Sequence, residues 1–149
     1  MCSRQAYAGV MTYDRRRGSA PPPLRVGERS VTPPGWPSPV RPPDAPRWED
    51  TAIKWLLDQC PPEYRLYDGL RRHPVVLARF ACLHVEASIQ AAQRGISEAR
   101  VTLREVLPTE AVEGAIGMWE REGARLLKVR RAVDLVEEAF RGRRFRARL

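Results

Sequence analysis

Two residues in the middle of the chain, Cys82 and His84, are of the types that form a catalytic nucleophile and its base. Both fall on a predicted helix, where residues two positions apart do not face one another, so the pair is not expected to react together. A metal site at His84 would need a partner three or four positions away, and the nearest acid, Glu86, is also two away. The Glu-x-x-His spacing of di-iron carboxylate bundles occurs nowhere in the sequence. We therefore predict that His84 is a boundary residue of a helical core.

Other sequence motifs that carry chemistry are also absent. The chain has no Gly-x-Gly-x-x-Gly fingerprint for dinucleotides, no Gly-x-x-x-x-Gly-Lys phosphate loop and no Gly-x-Ser-x-Gly nucleophile elbow. The second histidine, His73, stands directly before Pro74, where we expect it to end a turn or cap a helix. We predict no catalytic, metal-binding or cofactor-binding residue, and we expect that the protein is not an enzyme.

Arginines at the two ends of the chain carry its net charge of +8. Residues 1–47 hold eight arginines and three acids, and residues 139–149 hold five arginines and no acid, so each end has a charge of +5. The body, 48–138, holds 13 basic and 15 acidic residues and has a charge of −2. Arginine-rich ends suit an acidic partner, which indicates a candidate anion or phosphate site where the C-terminal tail meets the base of the predicted helices. Its predicted residues are Arg71, Arg72, Arg143, Arg144, Arg146 and Arg148.

The prolines divide the chain into parts. Ten of the fourteen prolines lie before residue 48, and proline lacks the N–H that helices and paired strands need. We predict that 1–47 is a disordered Pro/Arg-rich arm, that 48–141 is one helical domain, and that 142–149 is a basic C-terminal tail. Trp36 lies in the arm either as an anchor for a partner or as a solvated aromatic residue of a linker.

The cysteines and the hydropathy pattern bear on the cellular compartment. The three cysteines are an odd number without metal-ligand spacing, which fits buried thiols in a reducing compartment. No stretch reaches the roughly 18 apolar residues of a membrane span, because Arg79 interrupts the best candidate, PVVLARFACLHV. Residues 1–20 lack the apolar region of a signal peptide. We therefore expect a cytoplasmic protein without a membrane span.

Apolar spacing predicts two long helices. From Pro74, a suitable first-turn residue, apolar residues recur in alternating steps of four and three as far as Val106, and a second such stripe runs from Val112 to Phe140. This spacing is that of the heptads of coiled coils. We predict an all-α fold in which a long antiparallel helical hairpin, about 74–107 and 109–141, has two short N-terminal helices packed at its base. Gly95 is expected to lie inside the first long helix, with a break at that glycine as the alternative.

A register for the hairpin follows if the chain folds back at Pro108. The two stripes then meet so that Val106 faces Val112 and Ala99 faces Trp119. Several large residues of the second helix meet alanines in this register, as in a seam of constant width.

Two apolar surfaces are left outside this seam. The first long helix has a second apolar face in its first half, which the two short helices are expected to cover. This face consists of Val76, Phe80, Leu83 and Ala87. The tip of the hairpin, near 96–123, has little shielding, and a homodimer would be one way to cover it.

The segment LREVLPTEAVEGAIGMWEREGARLLKVRRA also has a pattern of helix, short turn and helix that resembles a winged-helix DNA-binding domain. In that architecture 110–122 would be the recognition helix. Its acidic residues oppose contact with phosphates, and no strand-like run is present to form a wing. Those acidic residues are Glu110, Glu113, Glu120 and Glu122. The hairpin is therefore the favoured prediction.

The segments PPEYRLY and RRHPVVLARF resemble uncharacterised small helical proteins of GC-rich actinobacteria. With the helix that follows, the resemblance covers about 48–141, and it implies a soluble bacterial protein with no stated activity. From the residues, we expect a non-enzymatic helical module that binds another protein or its own copy through the hairpin. The alternative is a nucleic-acid-associated protein or regulator whose basic terminal segments contact phosphates.

Overall fold

The computed structural model describes residues 32–143 and residue 145 of the chain, and predictions for the other residues lie outside this part. The described residues form an all-α fold without a strand, which confirms the predicted class. Its α-helices are α1 (Trp48–Asp58), α2 (Asp68–Arg72), α3 (Pro74–Val101) and α4 (Thr109–Phe140). Two short 3-10 helices, Pro62–Leu66 and Leu103–Glu105, connect α1 to α2 and α3 to α4.

The long helices α3 and α4 form the predicted antiparallel hairpin. Pro74 is at the start of α3, where its missing N–H costs no hydrogen bond. Gly95 lies inside α3 and does not interrupt it, as expected. Both helices are amphipathic, so each buries one side against the other and against α1.

The turn between α3 and α4 differs from the prediction. Helix α3 ends at Val101, six residues before the predicted end, and the chain continues as the 3-10 helix. Two effects disfavour further α-helix: Val101 and Thr102 are both β-branched, and Pro108 restricts Leu107. Thr109 is the first residue of α4, and Pro108 before it occupies the N-cap position without a side-chain capping hydrogen bond.

The C-terminal end of α4 is capped at Gly142. This glycine has a φ of 77°, a left-handed conformation that its missing β-carbon permits. The N–H of Gly142 donates to the carbonyl of Ala139 at 2.9 Å, and the N–H of Arg143 donates to the carbonyl of Glu138 at 3.0 Å. These two bonds form a Schellman motif, which satisfies carbonyl groups that α4 leaves unpaired at its end.

The main core lies at the base of the hairpin, where α1 and α2 pack on α3 and α4. Leu56 of α1, Leu77 of α3 and Val133 of α4 are fully buried in one cluster with Leu70 of α2. The two predicted short helices are therefore present at the base, although the second is divided into a 3-10 helix and α2. A smaller cluster near the tip contains the buried residues Ala99, Val112 and Ile116.

Residues 32–47 are part of the folded domain, so the predicted disordered arm is wrong for this segment. Val40 is buried in the main core, and Trp36 packs against that core with its ring 6.4 Å from the ring of Trp48. The indole N–H of Trp36 donates to the carbonyl of Val40 at 2.9 Å, and the N–H of Arg41 donates to the hydroxyl of Thr51 at 3.0 Å. Trp36 is therefore part of the folded domain and is not a solvated linker residue. The prolines permit this packing because successive turns need no regular backbone ladder.

The register of the hairpin also differs from the prediction. Trp119 packs on Gly95, one helical turn before the predicted Ala99. Val106, predicted to face Val112, is 73% exposed because it follows the 3-10 helix. Two heptad stripes also align after a shift of one helical turn, because an apolar layer recurs every three or four residues. Their spacing alone therefore did not determine which residues face each other.

Candidate interaction surface and predicted anion site

One exposed apolar surface of the described residues lies on the side of α3 opposite its buried residues. We call Val76, Phe80, Leu83 and Ala87 the outer face of α3. At 3.6 residues per turn, Phe80 points about 160° away from both Ala78 and Cys82, which are fully buried in the core. Val76 is 46% exposed, Phe80 40% and Leu83 57%, and Ala87 is also exposed. The prediction that the short helices cover this face is therefore wrong.

Two tyrosines of the connection before α2 extend this surface on one side. The ring of Tyr64 meets the ring of Phe80 edge-on at 5.5 Å, and it lies 6.0 Å from the ring of Tyr67. Tyr67 and Leu66 are themselves exposed. The short elements thus touch the border of the outer face and add aromatic area beside it, but they do not cover it.

A second exposed apolar group lies at the tip of the hairpin, as expected from the sequence. Its members are Val101, Val106, Leu107 and Met118. They come from the end of α3, the connection and α4, so they do not form a regular stripe along one helix.

A network of polar side chains joins α3 to α4. The guanidinium of Arg130 donates through Nε to Glu86 at 2.8 Å and also pairs with Asp134. This hydrogen bond from Arg130 lowers the pKa of the Glu86 carboxyl. The adjacent Asp134 carboxylate is the main cause of a raised pKa at Arg130, so the guanidinium stays charged. The network links the two helices at a fixed axial position.

A second ion-pair group lies closer to the base. Glu137 of α4 is buried, with Arg141 at 2.7 Å and Arg79 of α3 at 3.6 Å from its Oε1. A buried carboxylate requires such partners, because its removal from water is costly without them. Arg79 therefore has a structural role on the flank of α3.

The cysteines within the described residues are buried thiols. Burial raises the pKa of Cys60 to about 11 and is also the first cause of the raised pKa at Cys82. The Sγ atom of Cys82 lies 3.5 Å from Glu86 and 3.7 Å from Arg79, and its hydrogen-bond partners in the described chain do not include His84. A neutral, buried thiol is a poor nucleophile. His84 is half-buried at the edge of the helix packing, as predicted.

The arginines of the predicted anion site occupy separate places. Arg71 lines a surface groove of about 780 Å³ between α1 and the following connection, together with Lys54. Arg72 is exposed at the end of α2, whereas Arg143 pairs with Glu138 at 3.0 Å. Arg144, Arg146 and Arg148 lie outside the described residues. The anion site stays a prediction, since no contact among the described residues joins Arg71 or Arg72 to Arg143.

The described residues also bear on metal binding and on membrane association. No group of three or more histidine, cysteine, aspartate or glutamate residues has the arrangement of a metal site there. One continuous helical stretch, Pro74–Glu105, is long and apolar enough by composition to cross a membrane. The central helix of a folded bundle meets the same criterion, and α3 buries eight residues in the packing described above.

Comparison with known proteins gives no relative for this chain: no family model, no curated protein and no solved structure matches it.

Proposed function

We propose that this protein is a non-enzymatic helical interaction module that binds a protein through the outer face of α3. The observation that carries this proposal is the exposure of Val76, Phe80 and Leu83 on the side of α3 opposite its core. Single exposed apolar residues are common on folded proteins, but a contiguous row on one helix is typical of a binding surface. An apolar helix face laid against a complementary surface is a recurring mode of recognition.

The composition of α4 supports this interpretation of α3. At the same level of the hairpin, the exposed residues of α4 are mostly charged, as in Lys128, Arg131, Asp134 and Glu138. A polar surface is therefore compatible with this fold, and the apolar side chains of the outer face are not needed to build the core. Exposure of these side chains to water costs about 25 cal/mol for each Å² of apolar surface, and a partner that covers the surface would recover this free energy.

Site-specific photocrosslinking in the native cell tests the proposal. The photoreactive residue p-benzoylphenylalanine replaces Leu83 in one variant and Leu127 in a matched control. Leu127 is a suitable control because it is an isolated leucine on α4 with 52% exposure. We expect a discrete protein adduct from position 83 and none from position 127. If position 83 gives no adduct, or both give the same adducts, the outer face is not an interaction surface.

A second candidate function is contact with nucleic acid through the basic ends of the chain. The observation that favours it is that Arg71 and Arg72 are exposed and have no acidic partner among the described residues. Unpaired arginines are available for phosphate oxygens, to which guanidinium groups bind in a bidentate manner. This candidate ranks second because the body of the chain, 48–138, has a net charge of −2.

A further inference from the structure

We propose that the partner of the outer face is the outer face of a second copy of this chain, with the two α3 helices antiparallel about a twofold axis. The inference rests on the proposed function and deepens it, because it names the partner. The axis passes between residues 81 and 82, midway between Phe80 and Leu83. Two features of α3 support this symmetric arrangement: the spacing of its apolar residues and the charges on one flank.

The spacing of the outer face is the same in both directions along the helix. Val76, Phe80, Leu83 and Ala87 are separated by four, three and four residues. Reversal of the helix therefore leaves the pattern unchanged, and two antiparallel copies place Phe80 against Leu83 and Val76 against Ala87. This is the core packing of an antiparallel coiled coil, in which each a position of one helix packs against a d position of the other.

The charges beside this row are complementary under the same symmetry. Arg79 and Glu86 lie on one flank of the outer face, seven residues apart. In the antiparallel arrangement this flank meets the same flank of the other copy, so Arg79 of one copy lies beside Glu86 of the other, and the symmetry makes this pair twice. Within one chain Arg79 lies 3.6 Å from Glu137, and Glu86 accepts from Arg130 at 2.8 Å. Both side chains are still partly exposed, Arg79 at 55% and Glu86 at 42%, so the pair between copies would be added to these internal contacts and does not replace them. In a parallel arrangement opposite flanks meet, and Arg79 would lie beside His84 instead of an acid. Flanking charge pairs set the orientation of paired helices, so these charges favour the antiparallel pair.

The length of the apolar row sets the expected strength of the dimer. It spans eleven residue steps, about 16 Å of helix, with Tyr64 and Tyr67 adding area beside Phe80. Beyond it the same side of α3 continues with Arg94 and Glu98, which pair with each other at 2.7 Å. A row this short gives an interface at the small end of the range for specific complexes. We therefore expect a dimer with a dissociation constant on the order of micromolar.

Sedimentation equilibrium over a dilution series of the full chain tests association. We expect wild type to be dimeric at concentrations well above the micromolar range and monomeric well below it. Leu83→Arg places two charges at the centre of the seam and is expected to raise the dissociation constant at least about tenfold. Leu127→Arg adds the same charge to α4 and is expected to leave it unchanged. A monomeric wild type at all concentrations overturns the proposal, and so does an equal effect of both substitutions.

Cysteine crosslinking tests the orientation without relying on Leu83→Arg. In a Cys2→Ser background, a chain with Val76→Cys is mixed with a chain with Ala87→Cys and mildly oxidised. Both positions are exposed, so neither substitution disturbs the core. The antiparallel dimer predicts a disulfide between the two variants in the mixture and no disulfide-linked dimer in a sample of either variant by itself. In that dimer the same residue of the two copies is about 16 Å apart along the helix axis, too far for a disulfide. Disulfide-linked dimers in the samples that contain only one of the two variants indicate a parallel dimer and overturn the proposal.

The two proposals fail in different ways. A photoadduct at position 83 with the mass of another protein, together with a monomeric wild type, supports the proposed interaction module and rejects self-association. An adduct with the mass of two copies supports both.

Discussion

Trp119 of α4 packs directly on the backbone of Gly95 in α3. A β-carbon at residue 95 would lie 2.5 Å from Cε2 of the indole and 2.8 Å from Cδ2, closer than carbon atoms approach without displacement. Gly95 is therefore required by packing, and its position inside a helix is explained by the neighbouring helix.

Replacement of Gly95 by alanine is expected to destabilise the protein. Alanine is favoured over glycine in a helix by about 1 kcal/mol, but overpacking against a rigid indole typically costs about 1–3 kcal/mol. The control is Gly114→Ala in α4, where no atom lies within 4 Å of the added methyl group. We expect the melting temperature to fall for Gly95→Ala and to rise for Gly114→Ala. A rise for both substitutions would mean that Trp119 does not pack on Gly95.

The integration of residues 32–47 into the fold gives a second prediction. Val40 is 3% exposed in the main core, so Val40→Ala is expected to lower the free energy of unfolding by about 1–3 kcal/mol. Val101→Ala at the exposed end of α3 is the matched control and should change it by less than about 0.5 kcal/mol. Urea denaturation measures both values. Equal, negligible effects would show that the segment is an unfolded arm after all.

The polar network between α3 and α4 predicts a pH-dependent contribution of Arg130. Because Arg130 lowers the pKa of Glu86 below its ordinary 4.5, the ionised pair stabilises the fold above the unfolded pKa and loses this effect as pH falls through the folded pKa. Arg130→Met is expected to destabilise the protein by about 1 kcal/mol at neutral pH, because the Glu86 side chain is 42% exposed and water screens part of the interaction. This difference from wild type should shrink below about pH 4.5.

Arg125→Met provides the comparison for Arg130→Met. Arg125 also pairs with a carboxylate whose pKa it lowers, that of Glu122, but both belong to α4 and are exposed. A pair of this kind contributes only a few tenths of a kcal/mol. Denaturation curves from about pH 7 to about pH 3 should therefore show a larger, pH-dependent effect for Arg130→Met. If the difference in free energy of unfolding between Arg130→Met and wild type is constant across this range, the ionised contact with Glu86 does not contribute to stability.

The nucleic-acid hypothesis makes a prediction about salt. Joint substitution of Arg144, Arg146 and Arg148 by glutamine leaves the Schellman motif at Gly142 intact. If these arginines neutralise phosphates, the slope of log affinity for duplex DNA against log salt should decrease by about 0.9 for each phosphate that is no longer neutralised. The control removes the same charge from the tip, by substitution of Arg100, Arg104 and Arg121. Equal effects of the two triple substitutions, or no binding by wild type at low salt, would reject a specific role for the tail.

The helices themselves were predictable because amphipathic spacing and proline positions are local properties of the sequence. Pro74, Pro108 and Gly142 mark helix ends through backbone restrictions that do not depend on distant residues. The burial of Trp36 and Val40 was not predictable in this way, because it depends on a groove that α1 and α4 form only in the folded state. A proline-rich segment with two tryptophans close by, Trp36 and Trp48, was the available signal.

The register and the candidate site required the three-dimensional arrangement. A heptad stripe fits its partner again after a shift of one helical turn. The packing of Trp119 on Gly95 and the hydrogen bond from Arg130 to Glu86 distinguish the observed register. The outer face of α3 was visible as a second apolar stripe. The exposure of this face was not predictable from the sequence. It depends on the direction that the chain takes after Cys60, at Pro61 and Pro62, which decides whether the short elements cover Phe80 and Leu83.

The unequal distribution of buried residues along the hairpin has a consequence for its motions. The base combines α1, α2, residues 32–47 and both long helices in one cluster, whereas the tip relies on Ala99, Val112 and Ile116 with a few half-buried neighbours. Regions with fewer buried contacts open locally at a lower free energy than the whole protein unfolds. Amide hydrogens near the tip are thus expected to exchange with solvent before those near Val133, so that the far end of the hairpin opens and closes while the base remains folded.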